Sequence, residues 1–159
     1  MKSDDSLQAV DDALMSYADR GVFRGFAGRR LAGSRSEYRF LWLTETPFVL
    51  HYDAGSQTLT FKNLLPNVPY PSPMDRSFRA FLRLRTSASL PEHRRIDPER
   101  ARVSCANRAG MVSVSLQSMD DDVAYAVGKA MALVGEIFHS FLRGPYFEYM
   151  VENFNESEE

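Results

Sequence analysis

The sequence has almost no cysteine and no long apolar run. Cys105 is the only cysteine among 159 residues, so an internal disulfide is excluded and the fold must depend on its hydrophobic core. No apolar run approaches the roughly 20 residues that a membrane-spanning helix needs. The opening residues, Met1 to Asp5, are not followed by the apolar stretch of a signal peptide. The sequence therefore predicts a cytoplasmic protein that does not enter a membrane.

Motifs of catalytic, metal and cofactor sites are also missing. His51, His93 and His139 are scattered, and none stands in a paired metal-binding spacing. No serine lies in a Gly-x-Ser-x-Gly motif, and the glycines near the first predicted strand match no nucleotide-binding fingerprint. The sequence predicts a non-enzymatic protein with no metal, no cofactor and no catalytic residue.

Two features resemble chemical sites but favour structural roles. A catalytic cysteine needs a lowered pKa and some exposure, whereas Cys105 falls within a predicted strand, where a small buried side chain is expected. The acidic run 120–122 has the composition of a Mg²⁺ site. It also opens the strongest predicted helix, where carboxylates cap the chain and interact favourably with the helix dipole. We predict the capping role.

Composition and length are those of an ordinary globular domain. Apolar residues make up 44% and charged residues 25% of the chain, far from the profile of a disordered protein. A chain of this length suits one core. We predict a single domain over 1–159, with frayed ends at 1–5 and 155–159.

The charge is unevenly distributed along the chain. Residues 1–22 carry two basic and five acidic side chains, residues 23–116 carry fifteen and seven, and residues 117–159 carry two and nine. Three explanations fit a basic middle between acidic ends. Acidic helices can lie beside basic strands, the acidic ends can face a basic surface on a partner subunit, or the arginines can neutralise nucleic-acid phosphates.

Hydrophobic periodicity predicts the element order α-β-β-β-β-α-β-β-α, an α+β fold with an antiparallel meander and flanking helices. Leu7, Val10, Leu14 and Tyr17 recur at the spacing of a first amphipathic helix. Short connectors rich in turn residues then separate four predicted strands. These strands cover 22–30, 37–44, 47–52 and 57–64.

The second half begins after a proline-rich connector at 66–73, which cannot continue a strand ladder. Asp75 is predicted to cap a helix that ends near Thr86. The remaining predicted elements are a hairpin of strands 101–105 and 111–116, a long helix over 120–142 that Gly144 and Pro145 end, and a short helix over 146–154.

The strand segment 38–43 is apolar on both faces. Alternation sends Tyr38, Phe40 and Trp42 to one face and two leucines to the other. Aromatic side chains often anchor interfaces, so the three residues are candidates for a dimer interface or a groove for an extended peptide. The alternative is that other segments of the same chain cover this face.

Four segments give the element order a recognisable form. They are the strand ending in Leu64-Leu65-Pro66-Asn67-Val68-Pro69, the helix with Phe78-Arg79-Ala80-Phe81-Leu82, the hairpin from Arg102 to Leu116 and the long closing helix. In this order the elements resemble the YbjN-like, type III secretion chaperone-like fold. The resemblance implies a small homodimeric protein that acts without cofactors. It further implies either a chaperone that holds an extended client segment or a regulator-like role.

The leading functional hypothesis is therefore a non-enzymatic binding or scaffold protein. It is expected to form a homodimer and to hold a protein partner or an extended peptide. One alternative is a small enzyme or small-molecule binder, with a pocket between the sheet and the aromatic residues Tyr146, Phe147 and Tyr149. The other alternative is nucleic-acid binding through the arginines between Arg76 and Arg108.

Overall fold

A computed structural model, which describes residues 2–43 and 46–146, shows helices packed on a six-stranded antiparallel sheet. The helices are α1 (Lys2–Asp19), α2 (Pro73–Leu84) and α3 (Val123–Glu136), and α3 continues in wider π-helical turns over Ile137–Tyr146. The strands are β1 (Arg24–Leu31), β2 (Arg35–Leu41), β3 (Phe48–Asp53), β4 (Thr58–Leu65), β5 (Ala101–Arg108) and β6 (Met111–Ser118). The predicted α+β class and element order are confirmed.

The strand order in the sheet is β1-β2-β3-β4-β6-β5. The first four strands form the predicted meander, and the second strand of the hairpin pairs with β4. The edge strands are consequently β1 and β5. Their pairing differs, because β1 shifts register between Arg24 and Ala27 whereas β5 pairs with β6 without interruption.

Side chains alternate between a covered and an open face of the sheet. On β3, Phe48, Leu50 and Tyr52 are buried while the residues between them are only half-buried. The same period of two appears on β6, as expected when one face meets helices and the other meets solvent. The covered face and the helices form one hydrophobic core. Its most deeply buried members include Val10, Leu14, Tyr38, Phe40, Leu50, Tyr52, Leu65, Phe78, Val134 and Ile137.

Helix α2 begins earlier than predicted and has a different cap. Its N-cap is Ser72, whose hydroxyl accepts a hydrogen bond from the Asp75 N–H at 3.0 Å, with Pro73 in the first turn. Proline suits this position because its missing N–H has no partner in the first turn anyway. The prediction that Asp75 caps the helix is wrong, since Asp75 lies inside it and is buried.

Acidic helices pair with basic residues near the strands, which is one of the three explanations for the charge distribution. Arg30 of β1 donates two hydrogen bonds to Asp11 of α1, at 3.1 and 2.7 Å. Arg100, just before β5, donates to Asp120 at 2.7 Å and to Asp122 at 2.6 Å. The charged connector between α2 and β5 is anchored in the same way, because Arg85 and Arg94 both contact Glu136.

The closing helix confirms one prediction and corrects another. Asp122 is the N-cap of α3 and accepts from the Tyr125 N–H at 3.1 Å, so the acidic run does serve as a cap. Gly144 and Pro145 were predicted to end the helix, but the π-helical turns include both and reach Tyr146. Most of the predicted last helix, residues 147–154, lies outside the described residues.

Candidate functional site

The three aromatic residues predicted for an interface pack against other parts of the same chain. Tyr38 and Phe40 are each 1% exposed. The Tyr38 hydroxyl donates to the Asp11 carboxylate at 2.6 Å, and Phe40 stacks on Phe23 with ring centroids 4.1 Å apart. Trp42 is half-buried and its ring meets Phe23 edge-on at 5.7 Å. The chain itself thus covers this face, and neither Tyr38 nor Phe40 reaches the surface of the folded chain.

A groove lies at the opposite edge of the sheet, between α2 and β5. Its volume is about 280 Å³. Buried Leu82 of α2 and half-buried Val103 of β5 supply apolar surface, while Arg79 and Arg83 of α2 supply positive charge. The full set of lining residues is Arg79, Leu82, Arg83, Thr86, Val103, Ser104 and Cys105.

Asp75 fixes the position of the groove's inner arginine. One of its oxygens accepts from Arg79 Nε at 2.8 Å and the other from Asn107 Nδ2 at 3.0 Å. Asn107 Nδ2 also lies 2.6 Å from the Val68 carbonyl oxygen. A buried carboxylate needs such partners. Asp75 and Asn107 together link α2, β5 and the proline-rich connector. The guanidinium of Arg79 in turn lies 5.4 Å from the ring of Tyr70, which is 64% exposed.

The main chain of β5 has a free edge beside this groove. All eight of its residues pair with β6 in one register, and the Met119 N–H donates to the Arg100 carbonyl at 2.8 Å at the start of the ladder. Because hydrogen-bonded pairs alternate along antiparallel strands, the main-chain groups of Val103 and Cys105 point away from β6. No other strand of the described residues pairs with this edge.

Cys105 lines the groove with a half-buried thiol. Burial raises its pKa, and the nearby positive charge of Arg79 only partly opposes that effect. A raised pKa keeps the thiol protonated and weakens it as a nucleophile. The position of Cys105 fits its predicted structural role. Its thiol also provides a chemical group whose reactivity can report on whether the groove is occupied.

The open face of the sheet carries a polar row that crosses all six strands. The strand registers place one residue of each strand side by side. In spatial order the row is Arg29, Glu37, His51, Thr60, Ser115 and Ser104. A hydrogen bond of 2.8 Å joins the hydroxyls of Thr60 and Ser115. Among the described residues, the helices lie on the other face, where the strand side chains are buried.

Glu37 is the electrostatic centre of this row. Its side chain is only 9% exposed because basic side chains cover it. Arg29 Nε donates to one oxygen at 2.8 Å, His51 Nε2 contacts the other at 2.9 Å, and Arg39 Nε lies 3.6 Å away. The hydrogen bonds from Arg29 and His51 lower the pKa of Glu37 from 4.5 to about 2, although burial opposes the shift. The carboxylate therefore stays charged down to strongly acidic pH.

Sequence reasoning missed both the groove and the Glu37 cluster. The members of the cluster are eight and fourteen residues apart in the chain, and only the pairing register brings them together. The signal that was available is the run of charged and small polar residues at alternate strand positions. The pocket proposed beside Tyr146, Phe147 and Tyr149 falls at the end of the described residues and largely outside them.

No metal centre emerges from the described side chains. His51 lies on the open face and His139 on the surface of the π-helical turns. Across residues 2–43 and 46–146, the His, Cys, Asp and Glu side chains form no group of three or more that could hold a metal ion. Within the same residues, no helix combines the length and apolarity that crossing a membrane requires.

Over the described residues, the fold and groove define an α+β protein whose antiparallel sheet has one helix-covered face, one open face and a regular unpaired edge at β5. Comparisons with protein-family models, with curated proteins and with solved structures found no match for this chain. The resemblance to YbjN-like and type III secretion chaperone-like proteins accordingly rests on element order and hydrophobic pattern alone.

Proposed function

We propose that this protein is a non-enzymatic binding module that holds an extended, acidic protein segment along the free edge of β5. The observation that supports this function best is the position of that edge beside a basic groove. A bound segment would add a seventh strand to the sheet through main-chain hydrogen bonds. Its side chains on one face would then enter the groove, which is how β-strand addition combines affinity with specificity.

The regularity of β5 favours an extended ligand. Exposed edge strands invite pairing, and proteins commonly block them with bulges, prolines or inward charges. Edge strand β1 has such a block, because its register shifts near Gly25, which has a φ of +63°. Strand β5 has neither a proline nor a register shift over its eight residues. It is the edge that is suited to accept a partner strand.

The charge of the groove favours acidic side chains on the ligand. Arg79 and Arg83 line it, and its lining contains no acidic residue. Asp75 is nearby, but its two oxygens are already occupied by Arg79 and Asn107. Exposed Tyr70 lies beside Arg79 without lining the groove itself. Tyrosine and arginine are residue types that are enriched where binding energy is concentrated in interfaces.

A direct test uses a fluorescent peptide of about ten residues that alternates glutamate with valine, long enough to match β5. We expect saturable binding by fluorescence anisotropy. Arg83→Gln should weaken it about two- to fivefold, the effect of an exposed ion pair. Arg20→Gln, on the far side of the molecule at the end of α1, is the matched control and should leave the affinity unchanged.

The main-chain contribution is tested separately with N-methylated peptides. Methylation at alternate residues removes the N–H groups on one edge of the peptide. One of the two alternating patterns should abolish binding and the other should preserve it, because only one edge of an added strand faces β5. Equal binding by both patterns, or equal binding by a lysine–valine peptide, would refute strand addition of an acidic segment.

The homodimer remains a prediction, and it would need a surface other than Tyr38 and Phe40. Those side chains are buried in the folded chain. Sedimentation equilibrium at high micromolar concentration measures the association state directly. A strict monomer would remove the dimer from this proposal and leave the peptide groove unaffected.

A further inference from the structure

The open face of the sheet is strongly basic. Its strand positions alternate with the buried ones, and charged residues are frequent at them. The basic members are Arg24, Arg29, Arg35, Arg39, Lys62, Arg102 and Arg108. Among the described residues of this face, only Glu37 and Asp53 are acidic. The excess positive charge of the middle of the sequence therefore lies largely on one surface.

Glu37 holds two of these arginines in a defined arrangement. The Nε atoms of Arg29 and Arg39 point toward the same carboxylate oxygen, at 2.8 and 3.6 Å. Their side chains remain 67% and 60% exposed, so further guanidinium N–H donors face solvent. One carboxylate cannot neutralise two guanidinium groups. The cluster keeps a net positive charge that an external anion can balance.

The character of the face favours nucleic acid over protein. Protein interfaces depend on a central patch of large apolar anchors. The centre of this face is mainly polar, with His51, Thr60 and Ser115, and its apolar member Val49 is small. Interfaces with nucleic acid are more polar and far more positive. Single strands are held by base stacking on aromatic side chains, and His51 is the only ring at the centre. Backbone contacts to a duplex need no such platform.

We propose that the open face of the sheet binds the phosphate backbone of a nucleic-acid duplex without sequence specificity. Six strands spaced about 4.8 Å apart make a surface about 24 Å wide. That width matches about seven base pairs, which offer closely spaced phosphates. This surface meets the β5 groove only at Ser104 of the edge strand. The other residues of the two sites differ, and neither proposal depends on the other.

The test is anisotropy of a fluorescein-labelled 20-base-pair DNA duplex, measured between low and physiological salt. We expect the affinity to fall steeply with salt. The double variant Lys62→Gln with Arg108→Gln leaves the Glu37 cluster intact. It should reduce the slope of log Kd against log salt by about 2, one for each lost phosphate contact. Arg83→Gln, in the groove, is the control and should bind the duplex like the original protein.

A second variant examines the arginine pair itself. Arg29→Gln with Arg39→Gln should weaken duplex binding further, provided that circular dichroism shows native folding. Absence of duplex binding at low salt would overturn the proposal. So would a salt slope that Lys62→Gln with Arg108→Gln leaves unchanged, or tighter binding to a single strand of equal length. Tighter binding to polyglutamate of equal charge than to the duplex would also overturn it and would identify an acidic protein surface as the partner.

Discussion

Gly28 of β1 lies directly under the ring of Tyr38. A methyl group built at this position would stand 2.8 Å from Tyr38 Cδ1, closer than carbon atoms can approach without a shift. The ring cannot move easily, because it is 1% exposed and its hydroxyl is tied to Asp11. Residue 28 must therefore be glycine for the ring of Tyr38 to pack in this position. Tyr38 is one of the three aromatic residues that the sequence suggested for an interface.

We predict that Gly28→Ala destabilises the protein by about 1–3 kcal/mol, the range for overpacking a core. The matched control is Gly128→Ala in α3, where an added methyl group meets nothing within 4 Å. It should be neutral, or stabilising by up to about 1 kcal/mol, because alanine favours helix. Urea denaturation measures both, and equal effects of the two substitutions would contradict the packing argument.

The lowered pKa of Glu37 makes the stability of the folded protein depend on pH in a specific way. Because its pKa in the folded protein is lowered to about 2, the unfolded chain takes up a proton first as pH falls. The contribution of Glu37 is fully present above its ordinary pKa of 4.5 and is lost as pH falls toward about 2. Glu37→Gln lacks this dependence.

The measurement is the free energy of unfolding of both proteins at several pH values. We expect the advantage of the original protein over Glu37→Gln to be constant from neutral pH to about 5 and to shrink at lower pH. A constant difference across the whole range would show that the contacts of Glu37 with Arg29 and His51 do not govern its titration.

At the scale of single elements, the sequence predicts the helices and strands well but their ends less well. Strand bounds agree within three residues, because the period of two in the side chains is strong. Helix ends depend on capping residues, and the sequence around the start of α2 contains two residues of a capping type, Ser72 and Asp75. Asp75 has the residue type of a cap, but Ser72 precedes the proline and takes that role. The carboxylate of Asp75 is used in the tertiary link to Asn107.

Ser72→Ala should therefore destabilise the protein by about 1 kcal/mol, the usual loss when an N-cap is removed. Ser77 lies exposed in the same helix, and Ser77→Ala should be neutral or slightly stabilising because alanine has the higher helix propensity. Thermal or urea unfolding distinguishes the two. A Ser72→Ala protein as stable as Ser77→Ala would argue against the cap.

The closing helix shows a further limit of prediction from local pattern. The apolar stripe of α3 predicts a regular helix that ends at Gly144 and Pro145, since proline cannot donate to the helical ladder. The turns widen from Ile137 onward and include both residues. Periodicity of 3.6 residues does not distinguish α-helical from wider turns over so short a segment.

At the scale of the whole molecule, the sequence predicts the composition of the sheet but not its arrangement. Nothing in the hairpin's sequence shows that β6, and not β5, pairs with β4, yet that choice makes β5 a free edge. The charge distribution along the chain was visible. Some of the basic residues pair with acidic helix residues, as Arg30 does with Asp11, and others lie on the open face of the sheet. The register of the strands decides which residues do which.

The groove could not be predicted for the same reason. Arg79 and Cys105 are far apart in sequence, and only the packing of α2 against β5 brings them into one lining. The aromatic face of strand segment 38–43 is covered by Asp11 of α1 and by Phe23, which follows that helix. The surface that we propose for peptide binding is the β5 groove at the opposite edge of the sheet, not the middle of the meander.

The rate at which Cys105 reacts with a thiol reagent tests the peptide groove most directly. Cys105 is the only cysteine, and its half-buried thiol lines the proposed binding site. As the glutamate–valine peptide is added, we predict that the reaction rate falls in proportion to the fraction of free protein measured by anisotropy, while a lysine–valine peptide leaves it unchanged. A peptide that binds at saturation without slowing the reaction of Cys105 would contradict the account.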